Sequence, residues 1–285
     1  VISIDDTVFL RLRPLQIPQH LNSPLMKKLL LAAAVMVAAL SSSVSAQGII
    51  TNAFDVGANY GGSGEPGWTN GSSAGSGFGA WTISANGDAG AFIGNPANGG
   101  VTGMSTESFV LYANGTGSGI NVTATRSLNV ALPVGATFSL QWGINFDGNN
   151  GVDGNKGFKL KVGGTDVVTV NNGGNADIQF NTISTGFGYG TTPMIWSFTY
   201  TNATTLFVSA NDRDGSGTFT TNVTVSGGIS SFELYATRLN TSDFTDQRRP
   251  YYDNFTVTIP EPSTYALLAL SAVAFGGYVI RRRRR

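Results

Sequence analysis

The sequence predicts an all-β protein whose body is a two-sheet β-sandwich of the jelly-roll type. Three observations lead to this fold class: apolar and polar residues alternate, pairs of turn-forming residues recur at short spacing, and the body shows no long helical period. A signal helix is expected near the N-terminus and a transmembrane helix at the C-terminus. The 285 residues divide into four parts, which are 1–25, 26–46, 47–259 and 260–285.

The second part reads as a secretory signal peptide. Basic residues after Met26 are followed by an apolar run over 29–40 and then by small residues, which is the order of such a signal. Cleavage is predicted between Ala46 and Gln47. Residues 1–25 precede this start methionine, and we expect them to be a mis-called upstream extension. A genuine cytoplasmic extension is the alternative.

The body, residues 47–259, is rich in β-branched and aromatic residues arranged in short runs. Twelve such runs are candidate strands: 80–85, 108–113, 120–130, 137–146, 158–162, 167–170, 178–183, 195–200, 206–210, 218–225, 231–235 and 255–259. A right-handed β-helix is the alternative architecture, but no repeat of fixed period supports it.

The run 137–146 shows the alternation most clearly. It places five apolar side chains on one face of a strand, namely Phe138, Leu140, Trp142, Ile144 and Phe146. Turns are expected at pairs of Asn, Asp and Gly, which adopt positive φ readily. Hairpins are predicted at four of them: Asn86-Gly87-Asp88, Asn114-Gly115, Gly163-Gly164 and Asn171-Asn172-Gly173-Gly174.

Composition excludes several kinds of function. The body carries 14 acidic and 8 basic residues, a net charge of about −6, which argues against nucleic acid as a partner. The chain has no Cys, and its one His, His20, lies outside the body. Catalysis by Ser-His-Asp or Cys-His groups is therefore excluded there. Glu107 and Glu233 show no pairing typical of glycoside hydrolases, so no enzymatic activity is predicted.

The C-terminus carries a three-part pattern. Pro260, Glu261 and Pro262 precede an apolar run over 265–280, and the chain closes with basic residues. The run reaches about 24 Å as a helix, slightly less than the hydrocarbon core of a bilayer. The basic residues are expected to stop in the cytoplasm. They are Arg281, Arg282, Arg283, Arg284 and Arg285.

This order of Pro-Glu-Pro, apolar helix and arginine cluster resembles the PEP-CTERM sorting signal of Gram-negative bacteria. The resemblance implies processing by an exosortase, a polytopic membrane protease, and delivery to the cell surface or extracellular matrix, often where exopolysaccharide is made. An inner-membrane-anchored intermediate is expected on the way. A plain C-terminal membrane anchor is the alternative reading. The resemblance implies nothing about the activity of the body.

Two Asp- and Asn-rich segments and the last strand suggest oxygen ligands for Ca²⁺, which such a site takes from alternate positions around a turn glycine. The candidate calcium ligands are Asp147, Asp153, Asp212, Asp214, Ser216 and Asp253. The segment after 212 lacks the closing Glu of an EF-hand loop, since Val223 stands there. Plain β-turns built from Asp, Asn and Gly are the alternative interpretation.

Three aromatic residues in Gly-rich settings are candidate sugar-stacking residues: Trp68, Tyr60 and Tyr189. The alternative is that they cover an end of the sandwich. Trp142 and Trp196 lie in apolar strand patterns and are expected in the core. The final phrase 251–257, together with 109–113, resembles the strands of carbohydrate-binding jelly rolls and of other PEP-CTERM bodies.

The sequence therefore predicts an exported, non-enzymatic surface or matrix protein with a structural or adhesive role. A carbohydrate-binding module that recognises exopolysaccharide is the alternative, and a polysaccharide-active enzyme is a third reading. Calcium is the one cofactor that the residues suggest.

Overall fold

The computed structural model describes residues 52–62, 67–146, 154–174, 177–211, 217–239 and 246–259. The chain divides into two compact units, Val1–Ile49 and Ile50–Arg285, and all described residues belong to the second. The predicted signal helix and transmembrane helix lie outside the described residues. Within the described part no helix has the length and apolar character needed to cross a bilayer.

The described residues form fifteen strands and two short 3₁₀ turns. The strands are β1 (Ala53–Asp55), β2 (Phe78–Asn86), β3 (Ala89–Gly94), β4 (Ser108–Ala113), β5 (Asn121–Leu128), β6 (Thr137–Gly143), β7 (Asn155–Val162), β8 (Thr165–Asn172), β9 (Ile178–Phe180), β10 (Ile183–Ser184), β11 (Met194–Asn202), β12 (Thr205–Asn211), β13 (Thr218–Thr224), β14 (Ser231–Thr237) and β15 (Tyr251–Thr258). The 3₁₀ turns cover Gly57–Asn59 and Pro96–Gly99.

These strands pair antiparallel into two sheets, so the predicted all-β sandwich is confirmed. The eight-stranded sheet has the order β13-β12-β11-β6-β15-β4-β3, and β1 pairs with β15 beside β4. The seven-stranded sheet has the order β10-β9-β8-β7-β14-β5-β2. Eight of the fourteen connections between consecutive described strands lead from one sheet to the other, so these strands do not pair with each other.

The core lies between the sheets and is dominated by aromatic rings. The alternation predicted around β6 is confirmed, since Phe138, Leu140, Trp142 and Ile144 are at most 1% exposed. Phe146, which was expected on the same face, is only half-buried because the strand ends at Gly143. A smaller apolar cluster on the outer face of the eight-stranded sheet contains Val101, Val110, Tyr251, Phe92 and Met104.

Two of the four predicted hairpins are wrong. Gly163-Gly164 joins the paired strands β7 and β8, and β8 pairs with β9 after Gly173. Asn86-Gly87-Asp88, however, carries the chain from β2 in one sheet to β3 in the other, and Asn114-Gly115 leads from β4 across to β5. Positive φ at these glycines bends the chain equally well within a sheet or between two sheets, so turn chemistry alone does not choose.

Other strand limits also differ from the expectation. The run 178–183 is not one strand but the hairpin β9–β10, with left-handed backbone at Asn181 and Thr182. β1 and β3 were not predicted, because β1 has three residues and β3 consists largely of Gly and Ala, which favour strands weakly. β15 (Tyr251–Thr258) contains the whole final phrase 251–257, which is confirmed as a strand, whereas the candidate run 255–259 begins too late.

Candidate functional site

Most residues predicted to form sites lie outside the described residues. These are the calcium candidates Asp147, Asp153, Asp212, Asp214 and Ser216, the cleavage residues Ala46 and Gln47, the sorting residues Pro260, Glu261 and Pro262, and the arginines Arg281 to Arg285. Within the described ranges, no group of three or more His, Cys, Asp or Glu side chains could hold a metal ion. Tyr60, Trp68, Tyr189 and Asp253 are described, and the structure does not bring the four into one site.

Asp253, the described calcium candidate, is buried in β15 with 1% of its surface exposed. Its Oδ1 accepts a hydrogen bond from the Gly57 backbone N–H at 2.9 Å, while its Oδ2 has no hydrogen-bond partner among the described residues. Burial, and then the nearby charge of Asp55, raises the pKa of Asp253. The oxygens of Asp55 are already taken by other donors, so no second free carboxylate stands beside Asp253.

Asp55 belongs to a buried ion pair that the sequence analysis did not find. Arg126 points inward from β5 in the seven-stranded sheet, and its Nη1 donates to Asp55 Oδ2 on β1 in the eight-stranded sheet. Both side chains are fully buried. The guanidinium also donates from Nε to the Gly79 carbonyl at 2.7 Å and from Nη2 to the Ala74 carbonyl at 2.6 Å. This pair, with Asp253, is called the buried charge cluster below.

A sequence signal for the buried charge cluster exists. Arg126 occupies an alternate position in β5, on the same face as Val122, Ala124 and Leu128, where an apolar residue is expected. The aromatic rings of Phe78 and Trp81 lie 5.0 and 5.1 Å from its guanidinium carbon. A lone arginine in an apolar row therefore indicates a buried partner, although the row does not say which carboxylate supplies it.

Tyr60 is not an exposed sugar-stacking residue, because the structure places it in the core with 3% of its surface exposed. Its hydroxyl donates to Asp55 Oδ2 at 3.0 Å and accepts from the Ala74 N–H and from Trp81 Nε1. Burial, followed by the charge of Asp55, raises its pKa. The residue thus serves as a hydrogen-bond donor to Asp55 of the buried charge cluster.

Trp68 is also buried, with 4% exposed, and the stacking assignment is corrected for it as well. Its ring meets those of Trp81 and Phe109 edge to face at 5.3 and 4.9 Å. Residues 67–72 therefore pack back against β2, with Gly71 and Ser72 bonded to the backbone of Trp81. Burial removes the apolar area of the Tyr60 and Trp68 rings from water. This gain outweighs the polarity of their sequence neighbours.

Tyr189 is the exposed member of the three, with 36% of its surface accessible. Its ring lies 5.4 Å from that of Phe146, and its loop is held by a hydrogen bond from Gly190 N–H to the Ile144 carbonyl at 2.9 Å. Tyr189 is therefore partly open to solvent beside Phe146. Its role in stacking against a sugar stays a prediction.

The outer face of the seven-stranded sheet is almost wholly polar. Its central strands β5, β14, β7 and β8 turn hydrogen-bonding side chains away from the core at alternate positions. These residues are Asn121, Thr123, Thr125, Ser127, Ser231, Glu233, Tyr235, Thr237, Asn155, Lys159, Lys161, Thr169 and Asn171. We name this surface the polar face.

Four charged groups form a network on the polar face. Asp166 pairs with both lysines: its Oδ2 lies 2.8 Å from Lys159 Nζ and its Oδ1 lies 2.5 Å from Lys161 Nζ. Glu233 Oε2 lies 3.2 Å from Lys161 Nζ. Burial acts to raise the pKa of Asp166, but hydrogen bonds from the two lysines leave it below its ordinary value. Two positive and two negative charges balance, so this network, called the lysine–acid network, has no net charge.

Tyr235 stands at the centre of the polar face and is 8% exposed. Its ring lies 5.6 Å from Lys159 Nζ, and its hydroxyl donates to Asn171 Oδ1 at 2.8 Å. The opposing residue is Gly157, where an added Cβ would come within 2.9 Å of the tyrosine hydroxyl. Burial, and then the charges of Glu233 and Asp166, raise the pKa of Tyr235 well above its ordinary value of 10.0.

The glutamates considered for hydrolysis are not paired. Glu107 immediately precedes β4 in the eight-stranded sheet, whereas Glu233 projects from β14 onto the polar face and meets lysines. Glu65 lies outside the described residues. A hydrolase of the two-carboxylate kind needs both groups across one groove. The described residues do not place Glu107 and Glu233 in that arrangement.

Comparison with known structures finds matches at low similarity only. A structure titled "Sialidase" matches with a TM-score of 0.40 and 10% identity over 70% of this chain, but this chain spans only 19% of it. "Cellulose induced protein, Cip1" matches at 0.39 and 10% identity, covering 62% of this chain and 90% of that one. The exoplasmic/lumenal domain of VIP36, bound to Ca²⁺ and Man3GlcNAc, matches at 0.35 and 7% identity, covering 65% and 86%. Comparison with curated sequences finds no match.

The last part of the chain gives a more specific result. Residues 258–285 match the family described as "PEP-CTERM protein-sorting motif". The match begins at Thr258, which is also the last residue of β15. The predicted resemblance at the C-terminus is thereby confirmed. The chain carries a PEP-CTERM sorting motif, the mark of a protein exported for handling by an exosortase.

Proposed function

We propose that this protein is displayed at the cell surface or in the extracellular matrix, where its β-sandwich has a non-enzymatic, structural or adhesive role. The observation that carries the proposal is the direct junction of the sorting motif with β15. The tail would first hold the protein in the inner membrane. An exosortase would then recognise Pro260, Glu261 and Pro262 and release the sandwich.

The position of β15 suits a strand that bears the tail. β6 pairs with it on one side, while β4 and β1 share the other side. Force applied through the tail would load backbone hydrogen bonds on both sides of β15. Because β15 is not an edge strand, it could not separate by breaking the bonds on one side alone. A sandwich attached in this way is well held while it remains tethered to the membrane.

Intact mass measurement of the protein from the native membrane fraction and from the medium tests the proposal. A mass that starts at Gln47 and ends near Pro260 is expected in the medium. The variant Glu261→Gln should instead accumulate in the membrane with Arg285 retained. Glu233→Gln makes the same chemical change in the sandwich and should leave processing unaltered. Release of Glu261→Gln at the normal rate would contradict recognition of the motif.

Polysaccharide binding is the second candidate function, and the polar face favours it. That face offers many hydroxyl and amide groups without net charge, which is suited to the hydroxyls of a neutral polysaccharide. The exposed ring of Tyr189 would add a stacking contact. The lysine–acid network would serve as a set of charge-assisted donors and acceptors.

Retention of the full-length protein on the exopolysaccharide of the host separates the two candidates. Thr123→Arg places a long charged side chain on the polar face and should abolish retention. Ser197→Arg makes a matched change on the outer face of the eight-stranded sheet and should preserve it. Equal retention of both variants would remove the polar face as the binding surface, and no retention of the wild type would remove this candidate altogether.

Calcium binding is proposed for two Asp-rich segments. One contains Asp147 and Asp153, and the other contains Asp212 and Asp214. Oxygen ligands around glycine turns are the donor set that Ca²⁺ takes. Thermal unfolding with added Ca²⁺ and with chelator is the test. A rise in Tm with Ca²⁺ that Asp214→Asn and Asp153→Asn diminish is expected, whereas an unchanged Tm would contradict the site.

A further inference from the structure

β13 forms one free edge of the eight-stranded sheet. Among the described residues its backbone hydrogen-bonds only to β12, which pairs with it along its whole length. Its seven residues, Thr-Phe-Thr-Thr-Asn-Val-Thr, include no charged residue, Pro or Gly. Edge strands present unpaired N–H and C=O groups, and proteins usually shield them with charges, prolines or short length.

The other three edges are covered, very short or poor in strand-forming residues. Along β2, residues 70–72 take the edge groups: Gly71 N–H donates to the Trp81 carbonyl, Trp81 N–H to the Ser72 carbonyl, and Ile83 N–H to Asn70 Oδ1 at 3.0 Å. β10 has only two residues. β3 is six residues long and consists largely of Gly and Ala, which favour strand pairing weakly. β13 is therefore the edge in the described part of the chain that is uncovered, long and rich in strand-forming residues.

The pattern of apolar and polar residues in β13 is symmetric about its central residue, Thr221. Antiparallel pairing of this strand with itself about Thr221 would place Thr218 opposite Thr224, Phe219 opposite Val223, and Thr220 opposite Asn222. Phe219 and Val223 lie on the core side, and the Thr and Asn residues of the other parity are exposed. Aromatic–β-branched and Thr–Thr cross-strand pairs stabilise a sheet, and no like charges would meet.

We propose that a second copy of this chain docks on β13, with the two β13 strands antiparallel about a two-fold axis at Thr221. The eight-stranded sheets of the two copies would then continue as one sheet. A two-fold interface of this kind uses the same surface of each copy and closes on itself, so the product is a dimer. The assignment rests on the edge and its pattern, and it is independent of how the tail is processed.

Disulfide trapping in the full-length chain tests the register, because the wild type has no Cys. Thr221→Cys places the two thiols opposite each other, at a Cα separation of about 4.5–5.5 Å that a disulfide accepts. Thr224→Cys is the matched control, since its two copies would lie six residues apart along the strands, about 20 Å. Mild oxidation should convert Thr221→Cys to a covalent dimer and leave Thr224→Cys monomeric.

Two outcomes of the trapping would overturn the proposal. If Thr221→Cys stays monomeric while far-UV circular dichroism shows it folded, the edges do not meet at Thr221. If Thr224→Cys dimerises as readily, the contact lacks the two-fold register.

Charge variants in the Thr221→Cys background give a second readout. Thr220→Lys with Asn222→Lys sets lysines opposite lysines and should suppress the covalent dimer at least tenfold. Thr220→Lys with Asn222→Glu sets opposite charges in register and should retain it. Both changes lie at exposed positions, so folding is expected to persist. Equal loss, or equal retention, in the two variants would contradict the pairing.

Discussion

The buried charge cluster and the lysine–acid network contain the same kinds of groups in opposite settings. In the cluster, Arg126 meets Asp55 between the two sheets, and Asp253 adds a second carboxylate without a second cation. In the network, two lysines meet two acids on the polar face, where the four side chains keep between 15% and 35% of their surface exposed. The two groups differ more in the solvent exposure of their side chains than in the distances between their charged atoms.

This difference teaches where charge contributes to the fold. Water can replace either partner of an exposed ion pair, so the pair adds little to stability. A buried pair gains little over apolar packing either, but removal of one partner leaves a charge that no solvent reaches. Arg126 also joins β5 to β1, so the cluster fixes how one sheet sits on the other. The network joins only neighbouring strands of one sheet.

Arg126→Met should have the largest effect, because it leaves Asp55 buried without its counter-charge. A loss of about 3–5 kcal/mol in the free energy of unfolding is expected. Denaturant unfolding at pH 7 measures it. Adding Asp55→Leu should recover part of the loss, since the uncompensated charge is then removed as well. A single-variant loss below about 1 kcal/mol would mean that the pair is not buried as described.

Asp253→Asn should have a smaller effect of opposite sign. The folded protein holds the pKa of Asp253 above its ordinary value of 3.8, so folding favours the protonated form. Stability from this group is therefore greatest at low pH and falls as pH rises from 3.8 through the folded-state value. The amide keeps the acceptor for Gly57 N–H and removes the charge. Tm should rise at pH 7 and converge with the wild type below pH 3.8. A lower Tm at pH 7 would contradict this.

Lys161→Met should have the smallest effect, at most about 1 kcal/mol, since Lys159 remains to pair with Asp166. Added salt should shrink the difference from the wild type, because screening weakens exposed ion pairs. The same salt series on Arg126→Met should leave its larger loss nearly unchanged. Unfolding midpoints across the salt series compare the two, and a salt-independent loss for Lys161→Met would place the network among the buried interactions.

The burial of a side chain was predictable where it depends on residues nearby in the sequence. Trp142 and Trp196 were expected in the core and are fully buried, because alternation within one strand already separates the faces. Tyr60 and Trp68 were expected to be exposed because their sequence neighbours are polar, and only the fold packs both rings against Phe109. Arg126 and Asp55 are 71 residues apart, and no local pattern joins them.

The sequence by itself determined the all-β class, the inward faces of the strands and the sorting motif at 258–285, because each depends on residues that lie close together along the chain. The tertiary structure decided which turns make hairpins and which, as at Gly87 and Gly115, carry the chain to the other sheet. It also decided that no other described strand covers β13 and that Asp55 meets Arg126. These outcomes follow from packing two sheets around one core, where residues far apart in sequence compete for the same buried space.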